Sequence, residues 1–126
     1  MALGLILAGC QLFQNQGVEI GLPTVDIVCT QAVPDSDVTV IKQKIDSEVF
    51  KDDKLRRART VTRGKCFMVY QVIDIIDSFT FEDNKVDLAK ELYDQTVDRE
   101  NYGLIIDELV HKSNKDELRD FIDSQV

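Results

Sequence analysis

Three kinds of side chain in this sequence could do chemistry: cysteines, closely spaced carboxylates and a dense run of basic residues. The cysteines are Cys10, Cys29 and Cys66, with no CxxC spacing, and the chain has a single histidine, His111. A structural zinc site needs four ligands close together, which this set does not supply. We therefore predict neither a metal site nor a bound cofactor.

Two of the cysteines form a natural pair if the third has another role. If Cys10 is a lipid anchor or a leader residue, Cys29 and Cys66 remain for a disulfide, which is typical of exported proteins. Such a bond would close a loop of about 36 residues and stabilise the fold by a few kcal/mol. The alternatives are three reduced, buried cysteines in a cytoplasmic protein, or a small thiol-dependent enzyme in which a helix N-terminus activates Cys66.

Paired carboxylates give weaker evidence for catalysis. Asp74 and Asp77 lie one turn apart on a predicted helix and could act as general acid and base, although such pairs more often lie at the solvent edge of a helix. The sequence contains no GxSxG motif, no glycine-rich phosphate loop and no second histidine for a proton relay. We expect a protein that is not an enzyme and has no catalytic residues.

The basic residues are concentrated in one stretch, although the whole chain has a net charge of −8. Seven of the fifteen are Lys51, Lys54, Arg56, Arg57, Arg59, Arg63 and Lys65. This docking patch could bind an acidic partner or an anionic membrane surface. The alternative is a solvated helix face balanced by acidic neighbours such as Asp52 and Asp53. The acidic balance of the chain argues against nucleic-acid binding.

Residues 1–35 differ in composition from the rest of the chain. Met1–Ala8 is almost purely apolar, and Leu7-Ala8-Gly9-Cys10 resembles the lipobox of bacterial lipoproteins, which makes Cys10 a candidate for lipidation. However, no positive charge precedes this apolar run, which is shorter than a usual leader and too short to span a bilayer as a helix. The alternative is an apolar segment that packs on the domain. We interpret residues 1–35 as a leader-like segment plus linker, and residues 36–126 as a helical repeat domain.

The elements that must position these side chains are helices. From residue 36 onward apolar residues recur at helical spacing, beginning with Val38, Ile41 and Ile45. The spacing predicts six helices with short connections, capped at their N-termini by residues such as Asp83. The most apolar helix, over Phe67–Phe79, should lie at the centre.

A repeat of about 30 residues relates these helices. The chain aligns with itself at offsets of 31 and then 30 residues, and the three copies are Ile45–Leu55, Ile76–Val86 and Ile106–Asp116. Periods in this range are typical of stacked helical hairpins. The sequence therefore predicts an all-α, compact six-helix domain of stacked helical hairpins, preceded by a non-helical N-terminal segment. In each copy an aromatic ring, from Phe50, Phe81 or His111, is expected to plug the corner between two helices.

The same corners resemble domain-of-unknown-function family 4476, which is found in exported bacterial proteins and some animal proteins. The matching stretches are Phe50–Leu55, Cys66 before Gln71-Val72, Phe81–Lys90, Val97–Tyr102 and Ser113–Ile122. The resemblance implies an all-helical fold and an exported setting, and it implies no activity. Lys51 departs from the pattern, which prefers an acidic residue there, and Arg99 stands where the family often has proline.

These observations favour a non-catalytic protein-interaction or structural module, secreted or at the cell envelope, whose partner is another protein. Membrane contact is expected only through an N-terminal lipid anchor. One alternative is an electrostatic binder of anionic surfaces that uses residues 51–65. The other is the thiol-dependent enzyme based on Cys66. A cytoplasmic location would follow if all three cysteines were reduced.

Overall fold

The computed structural model describes residues 28–126. In this range the chain forms α1 (Asp35–Asp46), α2 (Lys51–Thr62), α3 (Val69–Ile76), α4 (Glu82–Leu92), a 3₁₀ turn (Tyr93–Gln95), a 3₁₀ helix (Arg99–Glu108) and α5 (Lys112–Ser124). No β-strand is present among the described residues, and the predicted all-α, six-helix fold is confirmed. No helix in this part of the chain is long and apolar enough to cross a membrane. The predictions for Met1–Ala8 and Cys10 lie outside the described residues.

The six helices stack as three antiparallel hairpins in two layers. Helix α1 pairs with α2, α3 with α4, and the 3₁₀ helix with α5. The first members of the pairs form one layer and the second members form the other, and each helix packs on its neighbours within the layer. This is the architecture that the 30-residue period predicts, because each hairpin buries its apolar face mainly against the next one.

The hydrophobic core lies between the two layers. Helix α1 contributes Val38, Ile41 and Ile45, the three residues that its apolar spacing predicts. The largest fully buried apolar side chains of the core are Tyr102, Phe67, Ile45, Ile75, Ile76, Leu88, Leu92, Ile105 and Leu118. Transfer of each such side chain from water to the interior stabilises the fold by roughly 1.5–3 kcal/mol. Because these residues come from all three hairpins, the hairpins share one core.

The central helix α3 is shorter than the helix predicted over Phe67–Phe79. It begins only at Val69 because the backbone of Phe67 pairs with a different connection. The Phe67 N–H donates to the Gln95 carbonyl at 2.8 Å, and its carbonyl accepts from the Val97 N–H at 2.8 Å. Phe67 and Phe79 are nevertheless buried on either side of the helix. The apolar run is therefore central, as predicted, but helical only in its middle.

The fifth predicted helix is a ten-residue 3₁₀ helix, a type that rarely exceeds three or four residues. Its buried residues, Tyr102 and Ile105, are three positions apart, and a helix with three residues per turn places such residues on one line. The Tyr102 hydroxyl donates to the Ala89 carbonyl of α4. Its ring meets that of Tyr93 edge to face, with 4.9 Å between the ring centroids. The body of the 3₁₀ helix packs on α3 and α5, and the Tyr102 hydroxyl links it to α4.

The hairpin stack has two distinct ends. The corner end holds the connections inside the three hairpins, residues 47–50, 77–81 and 109–111. The disulfide end holds the connections between hairpins, residues 63–68 and 93–98, together with the segment that precedes α1. Helix α2 runs from the first end to the second, and its twelve residues span about 18 Å at 1.5 Å per residue.

Candidate binding surface at the helix corners

Helix α2 carries most of the predicted docking patch, and its basic side chains are paired with acidic ones. The pairs are Lys54–Asp46 (3.7 Å), Arg56–Asp53 (2.7 Å), Arg57–Glu48 (3.0 Å) and Arg59–Glu91 (2.8 Å). Arg57 reaches the connection after α1, whereas Arg59 reaches α4, so the two side chains leave α2 in different directions. This geometry favours the alternative of a charge-balanced, solvated helix face. Exposed pairs of this kind contribute about 0–1 kcal/mol each.

The remaining three members of the patch lie beyond these pairs. The Lys51 ammonium lies over the ring of Phe81, 5.0 Å from its centroid, at the corner end. Arg63 and Lys65 are exposed in the connection that follows α2, at the disulfide end. The seven basic residues are therefore spread over both ends of a helix and do not form one continuous cationic surface.

Cys29 and Cys66, the pair that the cysteine count favours, are joined in the structure. Their sulfurs are 1.98 Å apart and their Cα atoms 5.6 Å apart. Next to the bond, the Val33 N–H donates to the Cys66 carbonyl at 2.9 Å. The segment before α1 is thus held to the connection between α2 and α3. A thiol-dependent enzyme would need a free thiolate at Cys66, and a sulfur in a disulfide does not supply one.

The two carboxylates considered for catalysis are separated in their contacts. Asp74 accepts a hydrogen bond from the Lys42 ammonium at 2.6 Å, which links α3 to α1. Asp77 is exposed at the end of α3. Among residues 28–126, no group of three or more His, Cys, Asp or Glu side chains could hold a metal ion. The structure therefore gives Asp74 a structural contact, the ion pair with Lys42.

A row of exposed apolar side chains lies at the corner end. The exposed fractions are 83% for Val49, 70% for Phe50, 54% for Phe81 and 80% for Val110. Together with the exposed His111 they form what we call the corner ridge. Phe50 and Phe81 directly precede α2 and α4, and His111 directly precedes α5. Contiguous patches of exposed large apolar side chains often mark interaction surfaces, whereas single exposed apolar residues do not.

The prediction that Phe50, Phe81 and His111 plug the corners is wrong. All three are exposed, and the core side of the second and third corners is filled by the residues two positions earlier, Phe79 and Leu109. At these two corners the core position is already taken, and the rings of Phe81 and His111 lie at the surface. The repeat therefore correctly relates Phe50, Phe81 and His111 as equivalent residues, but their shared place is on the surface and not in the core.

Contacts between hairpins make the corner ridge continuous. The Lys51 ammonium, next to Phe50 in the chain, lies over the Phe81 ring. Glu82, next to Phe81, accepts hydrogen bonds from the backbone N–H groups of Val110 and His111 at 2.7 and 2.8 Å. The three corners are thus neighbours in space, in the same order as in the sequence.

Glu82 is a structural residue that the sequence analysis missed. Besides the two backbone groups, its carboxylate accepts a hydrogen bond from Asn114 Nδ2 at 3.0 Å. Partial burial alone would raise the pKa of Glu82, but the hydrogen bonds from Asn114, Val110 and His111, together with the nearby His111 ring, lower it to about 2. The negative charge therefore holds the start of α5 against α4. The sequence feature that could have indicated this role of Glu82 is Asn114, a polar residue at the start of α5, 32 positions after Glu82.

Comparison with known protein families gives a match for this chain. A family model described as Domain of unknown function (DUF4476) matches residues 33–122. This range covers every helix from α1 to the 3₁₀ helix in full and α5 as far as Ile122. It includes Cys66 but not Cys29. No curated protein and no solved structure matches the chain.

Proposed function

Because the chain belongs to the family described as Domain of unknown function (DUF4476), whose description names no activity, we propose a function from its surface. We propose that the protein is a non-catalytic protein-interaction module, exported or at the cell envelope, which binds another protein through the corner ridge. The observation that carries the proposal is the exposure of Phe50 and Phe81 at equivalent corners of a repeat. A disulfide between Cys29 and Cys66 supports an oxidising location.

A protein partner fits the corner ridge better than a small molecule or a lipid surface does. The apolar side chains of the ridge are each more than half exposed and follow three helix starts, whereas ligand sites for small molecules are concave. Aromatic side chains surrounded by polar groups are typical of the anchors of protein interfaces. Charges of both signs, Lys51 and Glu82, also lie beside the ridge, whereas binding to anionic lipid depends on basic clusters.

The direct test compares partner capture by three forms of the protein. Purified, disulfide-bonded wild type, the double variant Phe50→Ser/Phe81→Ser and the control Leu104→Ser are immobilised and exposed to an envelope extract from the cells that make the protein. Leu104 is an exposed apolar residue on the 3₁₀ helix, outside the ridge. We expect one protein to be retained by wild type and control and lost from the double variant. Equal retention by all three would refute the ridge as the binding surface.

The electrostatic alternative has its own signature. If residues 51–65 bound anionic lipid, glycan or polyphosphate, affinity would fall steeply with salt, and charge reversal at Arg56, Arg57 and Arg59 would abolish binding. The ridge proposal predicts weak salt dependence and little effect of these charge reversals. Intact-mass measurement of the native protein with and without reductant tests the location. A fully reduced chain in cells would contradict export.

A further inference from the structure

Most of the net charge of the chain lies around the corner ridge. The three corners, taken as residues 46–53, 77–84 and 107–114, contain nine carboxylates and two lysines, a net charge of −7. The whole chain has a net charge of −8. The nine acidic residues are Asp46, Glu48, Asp52, Asp53, Asp77, Glu82, Asp83, Asp107 and Glu108. The exposed apolar side chains of the ridge are therefore surrounded by negative charge.

Four of the nine carboxylates are bonded within the domain. Asp46, Glu48 and Asp53 pair with basic side chains of α2, and Glu82 accepts hydrogen bonds from the start of α5. The other five form no ion pair with any residue between 28 and 126. All five are exposed and lie within four positions of a ridge residue. We call them the corner acids: Asp52, Asp77, Asp83, Asp107 and Glu108.

Three of the corner acids lie where they do not stabilise the helices that carry them. Asp77 is the C-cap residue of α3, and Asp107 and Glu108 are the last two residues of the 3₁₀ helix. A helix C-terminus carries a partial negative charge, so a basic residue is favourable there and an acid is not. Only Asp52 and Asp83, in the first turns of α2 and α4, have the placement that helix stability favours. Departures of this kind from the local rules of stability are expected at functional surfaces.

The chemistry of this surface defines the partner that fits it. Lys51 lies over the Phe81 ring and Lys112 pairs with Asp116, so neither lysine forms an ion pair with the corner acids. Exposed apolar anchors are complemented by apolar side chains, and unpaired carboxylates by cations. We propose that the corner ridge binds a basic amphipathic segment of the protein partner. Its apolar residues cover Phe50 and Phe81, and its Lys or Arg residues face the corner acids.

This inference rests on the proposed function, because it names the chemistry of the partner at the same surface. Its probes are three synthetic peptides of equal length, with leucine at helical spacing and lysine, glutamine or glutamate at all other positions. Each is titrated into the full oxidised chain, labelled with ¹⁵N, at the same physiological ionic strength. We expect saturable binding of the lysine peptide only. The amide signals that move should be those of the three corners, whereas those of residues 63–68 and 93–98, at the disulfide end, should not move.

Two double variants with the same change of charge complete the test. Asp77→Asn/Glu108→Gln neutralises two corner acids at helix C-termini. The control Asp94→Asn/Asp123→Asn neutralises two exposed acids at the C-terminal ends of α4 and α5, towards the disulfide end. We expect the corner variant to bind the lysine peptide about fivefold more weakly, the effect of two exposed ion pairs, and the control to bind it like wild type. Thermal stability should not fall in the corner variant, so weaker binding would not reflect unfolding.

The inference is refuted if the three peptides bind alike, if the signals that move lie outside the corners, or if both double variants lose the same affinity. Its failure can be told apart from failure of the proposed function. A native partner that is lost from Phe50→Ser/Phe81→Ser but bound equally well by the corner variant would refute only the basic segment. Retention of that partner by Phe50→Ser/Phe81→Ser would refute the proposed function itself.

Discussion

Replacing Glu82 by glutamine would remove the charge that holds the start of α5 against α4 while keeping the shape of the side chain. Hydrogen bonds to a charged group contribute about 1.5–3 kcal/mol each in buried surroundings. Glu82 accepts three of them from Val110, His111 and Asn114, but it is partly exposed, and solvent screening reduces their contribution. We therefore expect Glu82→Gln to lower the free energy of unfolding by about 2 kcal/mol, or the melting temperature by about 10 °C.

The effect should depend on pH in a defined direction. The pKa of Glu82 is about 2 in the folded protein, below its ordinary value of 4.5. A carboxylate whose folded pKa is lowered stabilises the fold above the unfolded pKa, and this contribution is lost as the pH falls through the folded pKa. The difference between wild type and Glu82→Gln should therefore be complete above about pH 5 and shrink towards zero near pH 2.

Urea titrations followed by far-ultraviolet circular dichroism at pH 6 and pH 2.5 measure both quantities. Glu117→Gln is the matched control, because Glu117 lies on α5 and pairs with Lys90 of α4 across the same interface. As an exposed ion pair it should contribute no more than about 0.5 kcal/mol. Our reasoning would be refuted if Glu82→Gln cost no more than Glu117→Gln, or if its cost were the same at both pH values.

Three further predictions test the packing. Cys29→Ser/Cys66→Ser should lower the free energy of unfolding by about 4 kcal/mol, the chain-entropy value for a separation of 37 residues. Reductant should lower the melting temperature of wild type but not of this variant, and a fall in both would contradict the assignment. Asn114→Leu should lower the free energy of unfolding by about 1–2 kcal/mol in urea titrations, because it removes the hydrogen bond to Glu82. Asn84→Leu should be neutral or stabilising, because the Asn84 amide nitrogen has no partner among residues 28–126. Equal losses in the two variants would contradict this difference between the two corners. Tyr102→Phe should cost about 1 kcal/mol through the hydrogen bond lost to α4, and an unchanged thermal melt would argue against that bond.

The hairpin stack was predictable because it depends on apolar spacing and on a period. Val38, Ile41 and Ile45 follow a helical stripe that leaves one face for the core, and the structure buries that face. The period of about 30 residues then fixes the helices as hairpins of equal size. The 3₁₀ helix was not predictable in the same way. Its buried residues Tyr102 and Ile105 fit both 3.0 and 3.6 residues per turn, so their spacing does not distinguish a 3₁₀ helix from an α-helix.

The candidate surface was harder to predict because it depends on which of two neighbouring residues turns inward. A corner such as Phe79-Thr80-Phe81 contains two aromatic residues, and the sequence does not show which one meets the core. Helix starts had the same ambiguity. Asp83 was expected to cap α4, but the N-cap position lies two residues earlier, at Phe81, and has no side-chain cap. Two acids do bond helix starts, Glu82 at α5 and Asp98 at α3. Each is distant in sequence from the helix that it bonds, and a local pattern cannot reveal such a partner.

The position of the disulfide also determines how the domain would carry a mechanical load. Helices α1 and α2 both lie inside the loop that Cys29 and Cys66 close. Tension applied between the N-terminal side of Cys29 and the C-terminus would pass through the covalent bond directly to α3. The first hairpin would bear none of that tension along its backbone, and only α3, α4, the 3₁₀ helix and α5 could be extended. In single-molecule stretching, the oxidised chain should therefore lengthen by 36 fewer residues than the reduced one.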